Sequence, residues 1–183
     1  MQKFLIIALF ITFSFSAYGN ELISPSENWY YYDKVNAPNP LWYSAIETDE
    51  LWQYGQAQLG YGEGDENTTT SYGEALDNKT ITQYFRKQFK INKLEDITKS
   101  QIRLLADDGA AIYLNGQLIY TVHLPEKFDH STLALNSNIE HAWIEFNVAL
   151  KHLRQGDNVI AVSIHQLSPT SSDLSFDLSL IYQ

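Results

Sequence analysis

The sequence predicts an all-β protein: an antiparallel β-sandwich with jelly-roll or Greek-key connections, about eight strands, and only short helical turns between them. Three observations lead there. Apolar and polar residues alternate with period two in most β-favouring segments, as in residues 158–166, where Ile160, Val162 and Ile164 oppose Val159, Ala161 and Ser163. No stretch after residue 20 holds a helical period. Between two short β-favouring runs stands Asn115-Gly116, the pair that suits a type I′ turn needing φ > 0 twice.

Met1 and Lys3, an apolar run over residues 4–13 and small residues at Ala17 and Gly19 have the form of a secretory signal peptide, residues 1–19. That leaves residues 20–183 as a single β-sandwich domain, exported to the periplasm or the cell exterior, with no membrane span in the mature chain. There is no cysteine, so the core must hold without disulfides. Lys and Arg number 12 against 22 Asp and Glu, a formal net charge of −10, which argues against nucleic acid and anionic membranes as partners.

In chain order, Trp29 to Tyr32 favours a strand, and residues 34–40 read as loop. Residues 41–45 read as a short strand or turn. A helical turn capped by Thr48 is expected to point Leu51 and Trp52 inward. Gly60, Gly62 and Gly64 lie in a long ordered excursion over 55–78 that lacks the spacing of a nucleotide loop. Residues 80–91 are a strand, with a change of phase near Arg86-Lys87 that would suit a bulge. Residues 101–105 form a strand closed by a turn at Asp107-Asp108-Gly109. The Asn-Gly hairpin pairs Leu114 with Gln117, Tyr113 with Leu118, Ile112 with Ile119 and Ala111 with Tyr120. Strands over 141–147, 158–166 and 174–181 follow, with a helical turn at 149–153. Trp143, Phe146 and Phe176 are expected in the core.

Four stretches together carry a resemblance: LGYGEGDENTTTSYG (59–73), YFRKQF (84–89), LLADDGAAIYLNGQLIY (104–120) and NVIAVSIHQLSPTSSDLSFDLSL (158–180). Trp29, Trp42 and Trp52 precede them where such modules have amino-terminal aromatics. The pattern resembles a secreted bacterial galactose-binding-like β-sandwich module. Such modules are appended to calcineurin-like phosphoesterase, spore-coat-kinase-like and lamin-tail proteins, and are akin to the sugar-binding domain of family 2 glycoside hydrolases. The resemblance implies a galactose-binding-like fold and, in related sandwiches, a structural calcium.

Sugar recognition needs aromatic platforms beside planar hydrogen-bonding groups. With 12 tyrosines and four tryptophans, the candidate ligand-binding residues are Trp42, Tyr61, Tyr72, Asp108, His165 and Gln166, with Trp29, Tyr84 and Asn115 as further candidates. For Ca2+, which takes six to eight oxygen ligands, the candidates are Glu63, Asp65, Asp108 and Asp173. No HExxH pair or GxSxG elbow is present. The expected function is an exported non-catalytic binding module for carbohydrate or another extracellular ligand. A structural or protein-interaction module is one alternative, and a small hydrolase built on converging carboxylates, or on His165 with a nearby hydroxyl, is the other. The expected site lies where Asp108 meets the 60s loop and the 165–173 loop.

Overall fold

Alternation gives each long strand one face that must leave water, and two sheets meeting face to face bury both. The computed structural model describes residues 19–44, 49–136 and 142–183. The signal peptide up to residue 18, the Thr48 cap and His141 lie outside the described residues. Among these, the strands are β1 (Asn20–Ile23), β2 (Asn28–Tyr32), β3 (Gln53–Gln56), β4 (Leu59–Tyr61), β5 (Thr68–Thr69), β6 (Thr82–Ile91), β7 (Ser100–Asp107), β8 (Gly109–Leu114), β9 (Gln117–Val122), β10 (Trp143–Val148), β11 (Gly156–His165) and β12 (Leu174–Tyr182). Two 3-10 turns, Leu94–Asp96 and Leu150–His152, are the only helical elements among the described residues. No helix there is long and apolar enough to cross a membrane.

The first sheet runs β10-β7-β12-β4-β5, with β1 also on β12; the second runs β3-β2-β6-β11-β8-β9. All pairs are antiparallel except β4 with β5. Four short strands, β1, β3, β4 and β5, exceed the eight expected, and β4 and β5 lie within the 55–78 excursion. Its glycines have a packing reason. A Cβ on Gly60 would stand 1.8 Å from the Leu174 carbonyl oxygen, and one on Gly62 would stand 2.6 Å from that of Ser172. Only glycine lets β4 lie this close to β12 and the segment before it.

Phe176 sits between the sheets, stacked on Phe85 at 4.1 Å and edge-on to Trp29 at 4.9 Å, with all three fully buried. Tyr120 of β9 stacks on Phe146 of β10 at 4.0 Å and joins the edges of the two sheets. Trp143 departs from expectation. Opposite Leu105 in β7, it points out of the first sheet, and its ring takes the Arg103 guanidinium at 5.3 Å. Leu51 is half exposed, while Trp52 is buried. The Asp49 carboxylate, accepting from the Leu51 N–H, forms that turn.

Three register details differ from the sequence expectation. Asp107-Asp108-Gly109 does not pair neighbouring strands; it carries the chain from the first sheet (β7) to the second (β8). The hairpin turn has φ of 52° at Asn115 and 85° at Gly116, as a type I′ turn requires. Leu114–Gln117 and Tyr113–Leu118 pair, but a bulge then sets Ile112 opposite Tyr120 and Ala111 opposite Thr121. The extra residue, Ile119, packs against the core and lets Tyr120 reach Phe146. Strand β6, by contrast, has no bulge: ten residues pair with β11 in unbroken register. Lys87 simply occupies a core-side position at the sheet margin, where its ammonium reaches Glu27 at 2.8 Å and the Asn28 carbonyl at 2.7 Å.

Candidate functional site

The outer face of the second sheet is the unusual surface. Tyr32, Tyr84 and Tyr113, each on a separate strand, share it, and Trp42 and Trp52 fold down onto it as a second cluster apart from the core. Trp42 packs edge-on against Tyr84 at 4.6 Å and Tyr113 at 5.4 Å, and Tyr43 stacks on Tyr113 at 4.7 Å. Along β8, Ala111 lies opposite Ser163 and Gly109 opposite His165. Those small residues leave room above β11. The room is filled from one side by the loop after β2 and from the other by the 123–136 segment. A Cβ on Gly109 would meet Ala134 at 2.9 Å, so the second segment packs directly on the strand.

Between these two covers lies a pocket of about 190 Å³, lined by the rings of Trp42, Tyr84, Tyr113 and Phe128 and by the polar side chains of His130, Ser163 and His165. This is below the roughly 300–1,000 Å³ of drug-sized sites and suits one ring-sized group. His130 ties the covers together. Its Nε2–H donates to the Val35 carbonyl at 2.6 Å, its Nδ1 pairs with the Tyr84 hydroxyl at 3.0 Å, and its own carbonyl accepts from the Thr82 hydroxyl at 2.7 Å.

His165 is only 1% exposed and fully partnered. Its Nδ1–H donates to the Thr132 carbonyl at 2.9 Å, with Thr82 Oγ1 at 3.1 Å, which leaves Nε2 to accept from the Ser163 hydroxyl at 2.9 Å. Burial pushes its pKa down to about 4, against the opposing pull of the Thr132 carbonyl. A serine donating to a neutral histidine has the form of a nucleophile and its base. Here, however, a carbonyl rather than a carboxylate stands behind the imidazole, and burial disfavours the imidazolium that base catalysis must form. Ser163 itself is 2% exposed. The pair serves best as an internal brace that anchors the 123–136 segment to β11.

The other residues singled out in the sequence meet at a different place, one end of the sandwich. Gln166 Nε2 donates to the Tyr61 hydroxyl and to the Asp173 carbonyl, both at 2.8 Å. Tyr61 and Tyr72 pack edge to face at 5.2 Å. The Lys79 ammonium lies 5.1 Å from each ring and donates to the carbonyls of Ser171 at 2.5 Å and Ser172 at 3.3 Å. The Asp108 carboxylate accepts from the Leu167 N–H at 2.7 Å. Asp108 therefore does meet the 165–173 loop, and Tyr61 brings in the 60s loop. Yet Gln166 is 0% and Tyr61 3% exposed, so this end is closed. Burial raises the Tyr61 pKa well above the usual phenol range.

The four carboxylates expected for calcium each have protein donors. Glu63 and Asp65 share the Gln58 amide at 3.2 Å each, Asp173 accepts from the Ser172 hydroxyl at 2.7 Å, and Asp108 is held by Leu167. Among the described residues no three His, Asp or Glu side chains gather as a metal site. Beside Asp173, a lysine ammonium supplies the positive charge to the loop carbonyls.

Of the residues named from sequence, then, Trp42 and His165 line the pocket, with Tyr84 beside them. Tyr61, Tyr72, Asp108 and Gln166 do not reach it. Sequence reasoning missed Tyr113, Phe128, Asp129 and His130. Tyr113 was legible in principle, since its phase on β8 sets it on the face opposite Ile112 and Leu114. The other three arrive on a loop that carries no periodic signal.

The fold is that of a β-sandwich shared with solved family 2 glycoside hydrolases, as the sequence resemblance implied. A beta-glucuronidase 2 from Bacteroides uniformis matches with a TM-score of 0.56 and 17% identity over 86% of this chain and 17% of its own. A beta-glycosidase from Bacteroides vulgatus matches with a TM-score of 0.54 and 13% identity over 89% and 20%. A beta-glucuronidase from an uncultured Clostridium sp. matches with a TM-score of 0.53 and 11% identity over 94% and 30%. The chain thus spans less than a third of the length of these neighbours. No protein-family model matches the chain, and no curated protein matches it.

Proposed function

We propose that this protein is an exported, non-catalytic β-sandwich module that binds carbohydrate in the pocket between Trp42, Tyr84, Tyr113 and His130. The observation that carries the reading is the pocket itself. Its lining combines four aromatic rings with hydrogen-bonding side chains, the two kinds of group that sugar recognition draws on. The fold shared with glycoside hydrolases and the signal-peptide form of residues 1–19 are in keeping with it. A glycan array followed by isothermal titration is the test. Saturable binding that Tyr113→Ala weakens at least tenfold supports the reading; absence of binding across neutral, basic and acidic glycans ends it.

A second reading, a small hydrolase, draws on the Ser163–His165 hydrogen bond. Activated aryl esters and aryl glycosides discriminate. Turnover abolished by Ser163→Ala would favour it, whereas the neutral, carbonyl-backed histidine predicts none.

A further inference from the structure

The pocket's charge goes beyond the proposed function and rests on it. Among its ten lining residues there is no lysine or arginine. The nearest strand cation on this face, Arg86, is two residues from Tyr84 but lies against the Trp52 ring at 5.5 Å, outside the lining. The one carboxylate on the rim is Asp129. Its Oδ1 accepts three hydrogen bonds, from the Ser131 N–H at 2.9 Å, the Ser131 hydroxyl at 2.8 Å and the Thr132 hydroxyl at 3.0 Å. Its Oδ2 takes none among the described residues and is available to a ligand. Those bonds, the Ser131 hydroxyl foremost, hold the Asp129 pKa below the usual carboxylate range, so it stays ionised. The other titratable groups facing the pocket are Tyr84, Tyr113, His130 and His165. Burial raises the two phenols, and His165 is held neutral, so none of these three adds a charge at pH 7.

We propose that the pocket selects sugars by charge, taking an amino sugar in preference to the neutral sugar and the neutral sugar in preference to a uronic acid, with Asp129 as the determinant. An ammonium group gains from the aromatic rings and from the free carboxylate oxygen. A uronate meets a fixed negative charge and no lysine or arginine in the lining to offset it.

The test is isothermal titration of the purified protein at pH 7 with the methyl glycosides of glucosamine, glucose and glucuronic acid. Each step in the order should amount to about two- to fivefold at low salt, because Asp129 is solvent-exposed. The steps should shrink in 1 M salt, where the Debye length is about 3 Å. Asp129→Asn keeps the Oδ1 turn and should collapse the ratios, and reading ratios removes any loss common to all three sugars. Glucuronide binding as tight as glucoside, or an unchanged order in Asp129→Asn, would overturn the charge selection while leaving the carbohydrate reading intact. If none of the three binds and arrays are also blank, both fall together.

Discussion

Two polar regions of this sandwich were built from the same residue types and ended in opposite states. At the Tyr61–Gln166 end, the groups pack onto one another: an amide nitrogen on a phenol, an ammonium on two rings and two carbonyls, a carboxylate on a backbone N–H. On the outer face of the second sheet, aromatic rings and polar groups leave a ring-sized space between them. Polar chemistry is therefore a poor marker of a site. What distinguishes the outer face is the space beside its rings and polar groups.

The largest expected effect that separates the two regions is in pH dependence. His165 titrates at 6.5 unfolded and about 4 folded, so the unfolded chain binds the extra proton in between. The histidine's contribution is complete above pH 6.5 and is lost as pH falls through 4, about 3 kcal/mol in all. Asp177, buried under Ser26, acts with opposite sign. Desolvation raises it from 3.8 to about 6, so its contribution is complete below pH 3.8 and is lost as pH rises through 6. Melting temperatures of the natural protein should thus vary little between pH 4 and 6. Asp177→Asn should uncover the histidine slope, with stability climbing from pH 4 to 6.5. A slope unchanged by the substitution would break the assignment.

Next comes Lys79→Met at the closed end. It keeps the stem but strips the Ser171 and Ser172 carbonyls of their donor, at about 2 kcal/mol. Chemical denaturation should show the loss, while sugar affinity at the distant pocket should stay as it was. A matched fall in affinity would mean the two regions are coupled. Trp42→Ala tests the converse. Affinity should fall at least tenfold, as for a buried aromatic anchor, with a smaller stability loss of about 1–2 kcal/mol because Trp42 caps a sheet rather than filling the core. The smallest expected effect is that of chelation. EDTA should leave the melting temperature unchanged, since the acidic side chains are engaged with protein donors. A drop would instead reveal a cation stabilising the folded state by mass action.

The sequence by itself determined the all-β class, the Asn115-Gly116 turn and the phase of β11 and β12, because alternation is a local property of the backbone. It also identified Trp42, Tyr84 and His165 as residues worth following. It did not determine which alternating face would be inner. Trp143 and Phe146 differ in phase by one, and only the pairing of β10 with β7 turned the first outward. Nor could it tell that Gln166 would close on Tyr61 and Asp108 on the Leu167 N–H, or that His130 would arrive over Tyr84. Those are contacts between residues tens of positions apart, and loops carry no period to announce them. Tertiary structure decided where such groups closed tightly on one another and where a space was left beside them.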